Sequence, residues 1–354
     1  MVEVVEIVRR RVERAVLAVA LLLAVSACGQ TVTSGTNDTD ALTLRLGYFP
    51  NLTHAPALIG VRKGFFAAAL GSGVTVEPHT FNAGPDAVTA ILSGSIDAAF
   101  MGPSPTTNAF VQSHGQAVRV IAGATSGGAL LVVRASITSP ADLKGKKIAD
   151  PQLGGTQDVA LRWFLRQHWL RADVAGGGDV SVMPQDNSST LTSFKQGQID
   201  GGWLPEPWAS RLVVEAGAHI LVDERGLWPK GEFVTTNLVV STTFLHAHPA
   251  RVKALIDGLY TAIAYVNSNP AEAQTVANDA IAETSSTKLS SRVVSTAWGH
   301  MTFTMDPLPA TLRSSTGHAQ ALGLLPGADL GGLYDLSPLN EVLSAHGVPE
   351  ISSS

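Results

Sequence analysis

Cysteine is almost absent: the chain has one, Cys28, in 354 residues. That excludes a disulfide scaffold and a four-cysteine zinc site. Charge is also scarce, at 15% of residues, with 24 Lys+Arg against 29 Asp+Glu. Without a basic excess or a Lys/Arg-rich face, general nucleic-acid binding is excluded. Long apolar runs are missing as well. The run Ala15–Val25 falls short of the roughly 20 residues a spanning helix needs, and no later stretch approaches that length. No Gly-x-x-x-x-Gly-Lys-Ser/Thr loop occurs, so the chain is not itself a P-loop hydrolase. Gly71-Ser72-Gly73 precedes a strand pattern instead of following one, which fails the dinucleotide test. The segment Gly102-Pro103-Ser104-Pro105-Thr106 lacks the final Gly of a nucleophile elbow and carries two prolines. His246-Ala247-His248 has no third ligand nearby, so no metal is expected there. Nothing argues for catalysis, and no cofactor is expected.

What is present is enough apolar residue, 45%, to bury a core, and a net charge of only −5, which argues against disorder. The first residues read as an address. Arg9, Arg10, Arg11 and Arg14 precede the apolar run, which ends in Val25-Ser26-Ala27-Cys28-Gly29. A basic region, a short apolar segment and small residues predict a secretory leader over 1–27. The position of the cysteine resembles a bacterial lipobox, which implies cleavage before Cys28 and its acylation. An ordinary leader with a chance cysteine is the alternative. The small polar residues that follow suit a flexible tether over 28–41.

The rest of the chain contains an internal repeat. Val74–Pro78, a helical stretch and Gly94-Ser95-Ile96-Asp97 are matched by Val180–Pro184, a helical stretch and Gly197-Gln198-Ile199-Asp200. Upstream, a strand pattern at Leu44–Phe49 and a periodic run at Ala55–Leu70 correspond to Lys147–Asp150 and Val159–Leu170. Gly94 and Gly197 lie 103 positions apart, as do Thr53 and Thr156. In each Gly-x-Ile-Asp segment the glycine stops a helix in a left-handed turn and the next strand begins at the apolar residue. Strands alternating with helices predict α/β lobes with parallel sheets. The helical segments after Phe233–Val240 are too extensive for the second lobe alone. The chain is therefore expected to cross between lobes near Ser126–Leu131 and again near Phe233–Val240. That places lobe 1 at 42–127 plus 236–354 and lobe 2 at 128–235.

Ligands in open α/β sheets bind beyond the carboxyl ends of the strands. Four loops are expected there: Tyr48–His54, Gly102–Asn108, Asp150–Gln157 and Trp203–Trp208. Each runs into a helical stretch, and helix starts present unpaired N–H groups that hold anions without Arg or Lys. Ser104 and Thr156 either face a ligand oxygen or simply cap their own helices. Trp203 and Trp208, with Tyr48 and Phe49, read as an apolar pocket wall; Trp203, at a strand end, reads equally as core packing. Glu206 either accepts from a ligand amine or stabilises the helix that Pro207 opens.

Leu46–Pro56, the two Gly-x-Ile-Asp segments, Ser139–Ile148 and Pro205-Glu206-Pro207-Trp208 resemble the solute-binding proteins of ABC importers. The nearest likeness is to the sulfonate, nitrate and taurine class, which includes relatives that bind thiamine-pyrimidine precursors. The resemblance implies a type II periplasmic-binding fold, with two α/β lobes joined by two crossover strands and closing on one small molecule. It implies delivery to an ABC permease with a separate ATPase, from the extracytoplasmic face of the membrane. The chain itself would be a monomer held to the membrane only by its lipid. By match to the family's pocket loops, Tyr48, Asn51, Thr53, His54, Ser104, Thr106, Thr156, Gln157, Trp203 and Glu206 are the candidate ligand residues. The implied solute is a small organic anion, an aliphatic sulfonate such as taurine or an alkanesulfonate. Nitrate, bicarbonate or a pyrimidine precursor are alternatives within the class, and a secreted enzyme on the same fold is an alternative outside it.

Overall fold

The computed structural model describes residues 42–327 and 329–353. The expected leader, tether and Cys28 attachment point lie outside the described residues. Among the described residues, eleven strands form two sheets. The first sheet contains β1 (Leu42–Tyr48), β2 (Val74–Thr80), β3 (Ala98–Met101), β4 (Val118–Gly127), β10 (Val234–Ser241) and β11 (Met301–Phe303), in the order β11-β4-β10-β3-β1-β2. The second contains β5 (Ala129–Val133), β6 (Lys147–Asp150), β7 (Ser181–Pro184), β8 (Gly201–Pro205) and β9 (His219–Asp223), in the order β7-β6-β8-β5-β9.

The repeat is visible in the pairing. β1 lies parallel to both β2 and β3, and β6 lies parallel to both β7 and β8. The register is conserved between the halves: Leu46 faces Ala98 in one and Ile148 faces Gly201 in the other. Gly94 and Gly197 both take left-handed conformations, at φ 73° and 78°. The aspartates that follow have equivalent jobs. Asp97 Oδ2 accepts from the Arg45 amide at 2.9 Å, and Asp200 Oδ2 accepts from the Lys147 amide at 2.9 Å. Each carboxylate thus satisfies an N–H of the neighbouring parallel strand and pins its register.

Helices cover both faces of each sheet. Alternate strand residues therefore enter different cores: Leu131 and Val133 of β5 enter one core, Leu130 and Val132 the other. The helices Pro249–Ser268, Pro270–Ser285 and Ser337–Ala345 bury Leu255, Ala277 and Val342 against the first sheet, so the C-terminal segment returns there. The run Ala55–Leu70 is two helices instead of one. Gly64, at φ 72°, separates Ala55–Arg62 from Phe65–Leu70.

The chain crosses between sheets twice. Gly127 closes β4 and Ala129 opens β5, while β9 and β10 are joined by Glu224–Phe233. β10 enters the first sheet at Val234, two residues before the return point expected from sequence. The two crossings are bonded to one another: Gly127 N donates to Phe233 O at 3.1 Å and Phe233 N donates to Ser126 Oγ at 3.2 Å. Gly127 and Gly128 adopt φ 77° and 79°, which only glycine takes without strain.

Candidate functional site

All six parallel strands direct their carboxyl ends at one gap between the sheets. Its wall is built from Phe49–His54 after β1, Asn82–Gly84 after β2, and Gly102 and Pro105 after β3. From the other side come residues 151–157 after β6, Asn187 after β7 and Pro205 at the end of β8. Helices begin immediately behind these loops, at Ala55, Gly84, Pro103, Thr156, Asn187 and Trp208. Each start carries a fractional positive charge worth roughly 0.3–1 kcal/mol toward a nearby anion. Among the described residues, no Lys, Arg, Asp or Glu lines the gap. Its field therefore comes from helix starts and neutral donors.

His54 is such a donor. It is buried, and Phe49 N donates to its Nδ1 at 3.4 Å, which leaves the ring proton on Nε2. Burial pulls its pKa down to about 3, so the ring is neutral. Asn187, the first residue of its helix, is 7% exposed and its Oδ1 has no partner among the described residues. Gln152 Oε1 is also buried without a partner. Buried polar groups left this way call for a ligand or water. Behind the loop, burial and the neighbouring Asp158 carboxylate push Asp150 well above the ordinary carboxylate range. Arg162 Nε donates to Asp158 at 2.6 Å, so the charge nearest the Thr156 helix start is already paired.

The lobes are drawn together around this gap. Trp208 Nε1 donates to Asn51 Oδ1 at 2.8 Å, and Gln152 Nε2 donates to Asp86 Oδ1 at 3.3 Å. A methyl group on Gly102 would lie 2.2 Å from Thr156 Oγ1. The remaining cavity is about 30 Å³, room for one or two water molecules.

Of the residues singled out in the sequence, Asn51, Thr53, His54, Thr156 and Gln157 meet at the gap. The other five are placed differently. Tyr48 packs in the core of the first lobe, because the β1 alternation turns it to the same face as Leu44 and Leu46. Ser104 is buried beside the gap with its Oγ unpartnered, but it does not line it. Thr106 Oγ1 donates to Gly102 O at 2.8 Å and so serves its own helix. Trp203 is fully buried and donates through Nε1 to Glu224 Oε2 at 2.8 Å. Both Glu206 oxygens are engaged: Oε2 accepts from Ser210 N at 3.0 Å, and Oε1 pairs with Ser210 Oγ at 2.8 Å and His300 Nδ1 at 2.7 Å. The helix Glu206 stabilises begins at Trp208, one residue after Pro207. The sequence reading missed Asn82–Gly84, Asn187 and Thr235, and it placed the loop of Gln152 at the gap without singling that residue out. Asn82–Gly84 and Asn187 follow β2 and β7, and the strand-end rule already applied to the other loops would have included them.

The described residues have the two-lobed α/β fold seen in periplasmic binding proteins. Residues 38–281 match the NMT1-like family, and the chain belongs to it. It is 29% identical over 199 residues to the taurine-binding periplasmic protein of Escherichia coli (strain K12). That match takes in 56% of this chain and 59% of the relative, so it spans little more than half the relative's length. Two solved structures share the fold. The alkanesulfonate-binding protein SsuA from Xanthomonas axonopodis pv. citri, bound to MOPS, superposes with a TM-score of 0.67 at 22% identity, covering 81% of this chain and 96% of that one. The periplasmic nitrate-binding protein NrtA from Synechocystis PCC 6803 gives a TM-score of 0.74 at 16% identity, covering 87% and 90%.

Proposed function

We propose that this chain is the extracytoplasmic solute receptor of an ABC importer and captures a small organic anion between its lobes. The single observation that carries this reading is the convergence of six strand ends and six helix starts on a gap free of charged side chains. A sulfonate oxygen accepts from N–H groups at the starts of the Thr156 and Asn187 helices, from His54 Nε2–H and from the Asn187 amide. A carboxylate at the gap would repel such a ligand, and Glu206 is held away by Ser210 and His300. The likeness to taurine-binding and alkanesulfonate-binding proteins supports an aliphatic sulfonate, taurine or an alkanesulfonate, with nitrate, bicarbonate or a pyrimidine precursor as alternatives.

A cavity of about 30 Å³ is too small for such a molecule. The two lobes must part at the Gly127–Ala129 and Phe233–Val234 crossings to admit it and then close to exclude water. Closure strengthens every polar contact inside, and the closed form is what a membrane permease with its separate ATPase recognises. A leader over 1–27, removed before Cys28, would export the chain, and a lipid on Cys28 with a tether over 28–41 would hold this monomeric receptor at the membrane.

A thermal-shift panel of taurine, methanesulfonate, nitrate, bicarbonate and an aminopyrimidine tests the ligand class. A sulfonate at one hundred times its Kd stabilises the chain by about 2.7 kcal/mol. Stabilisation by the pyrimidine and by no sulfonate rejects the choice of solute. Conversion of the bound compound, seen by mass spectrometry, rejects the receptor reading in favour of an enzyme.

A further inference from the structure

A second and larger cavity, about 210 Å³, lies beside the strand-end gap and shares only Thr156 with it. Three of the chain's six tryptophans, Trp163, Trp203 and Trp228, line it together with Phe164 and Phe233. In this apolar wall sits one carboxylate, Glu224, which is 3% exposed. Its partners are two indoles: Trp203 Nε1 donates to Oε2 at 2.8 Å and Trp228 Nε1 donates to Oε1 at 3.3 Å. Both donors are neutral, so neither balances the charge Glu224 carries once ionised, and a carboxylate offers about four acceptor positions in all. Among the described residues, no Lys or Arg lines the cavity; the other titratable residues there are His168 and His318. His318 is stacked on Trp163 at 4.2 Å between ring centroids, and burial lowers its pKa, so it supplies no charge at neutral pH.

We propose that this chamber is a distinct binding site for a small organic cation with an aromatic or compact alkyl body, its ammonium or amidinium group set against Glu224 and the indole faces. Three features select that class. A buried carboxylate without a cation is costly and is relieved by an ionic partner. Indole faces attract cations, most strongly where water is excluded. The apolar remainder accepts a ring or alkyl group and repels a free inorganic ion. The chamber also spans the lobes: Trp163, Glu224 and Trp228 come from the second, while Thr311, Ser315 and His318 come from the helix Pro309–Ala321, whose Leu312 packs in the first. Occupancy therefore favours the closed arrangement. This goes beyond capture of an anion at the strand ends and does not depend on it.

The test is calorimetric titration of the purified chain with benzylammonium, benzyltrimethylammonium, neutral benzyl alcohol and anionic benzenesulfonate. The chamber predicts that the cations bind at least tenfold more tightly than the alcohol and that benzenesulfonate binds most weakly. Glu224→Gln should erase the preference for cation over alcohol, and Trp163→Leu should weaken both cations at least threefold. Equal affinity for cation and alcohol overturns the proposal, as does a preference that survives in a folded Glu224→Gln protein. If Glu224→Gln does not fold, the wild-type series with Trp163→Leu still decides. Taurine is titrated separately into wild type and Asn187→Ala, so failure at the strand-end gap is told apart from failure at the chamber.

Discussion

Two buried residues give the protein opposite responses to pH. Burial holds His54 neutral down to about pH 3, whereas an unfolded histidine takes up a proton near 6.5. Between those values the unfolded chain binds the extra proton, so the His54 contribution to stability falls as pH falls from 6.5 toward 3. Glu224 behaves the other way. Burial pushes it up to about 7, while an unfolded glutamate releases its proton near 4.5. Across that window the folded chain holds the extra proton, so stability falls as pH rises from 4.5 to 7. Chemical denaturation across pH should show Glu224→Gln gaining about 3 kcal/mol on wild type between pH 4.5 and 7. It should show His54→Gln gaining about 5 kcal/mol on wild type as pH falls from 6.5 to 3. Parallel curves for variant and wild type would place these side chains in water. At this scale the sequence was a partial guide. His54 and Thr156 were readable because they sit at strand ends before helices. Glu224 was not, because its partners Trp203 and Trp228 meet it only through tertiary packing on β8 and the β9–β10 connection.

Among the elements, the close approach of the loop after β3 to the Thr156–Gln167 helix sets how far the lobes can close. Gly102 has φ −74°, which any residue adopts, so alanine there introduces no backbone strain. Its methyl group would nonetheless meet Thr156 Oγ1 at 2.2 Å and Thr235 O at 3.2 Å. Gly102→Ala should therefore shift the population toward open lobes, measured as a larger radius of gyration in X-ray scattering and at least tenfold weaker solute binding. Adding Thr156→Ala removes the obstructing oxygen and should restore the compact form, though not the contact proposed between Thr156 and solute. An unchanged radius in Gly102→Ala would mean that the lobes do not meet here. The elements were the most legible level of the sequence. The Gly-x-Ile-Asp segments marked β3 and β8, and Gly94 and Gly197 do terminate their helices in left-handed turns. The break at Gly64 was hidden because the apolar spacing continues through it into Phe66 and Leu70. The direction in which a strand residue points is set by register, which is why Tyr48 and Trp203 could be placed at strand ends but not assigned to pocket or core.

For the whole molecule, the repeat makes two lobes from one pattern, and the crossings at Gly127–Ala129 and Phe233–Val234 join them so that the parallel strand ends confront each other. The gap that results is polar without being charged, an environment suited to an anion that helix starts can hold. Beside it the aromatic chamber at Glu224 offers the opposite electrostatic preference. The most direct test is a crystal structure of the chain grown with taurine. It should contain one sulfonate per chain, its oxygens within hydrogen-bond distance of the Thr156 and Asn187 helix starts and of His54 Nε2. Saturating taurine with that gap empty, or with the sulfonate seated elsewhere on the molecule, would contradict the account.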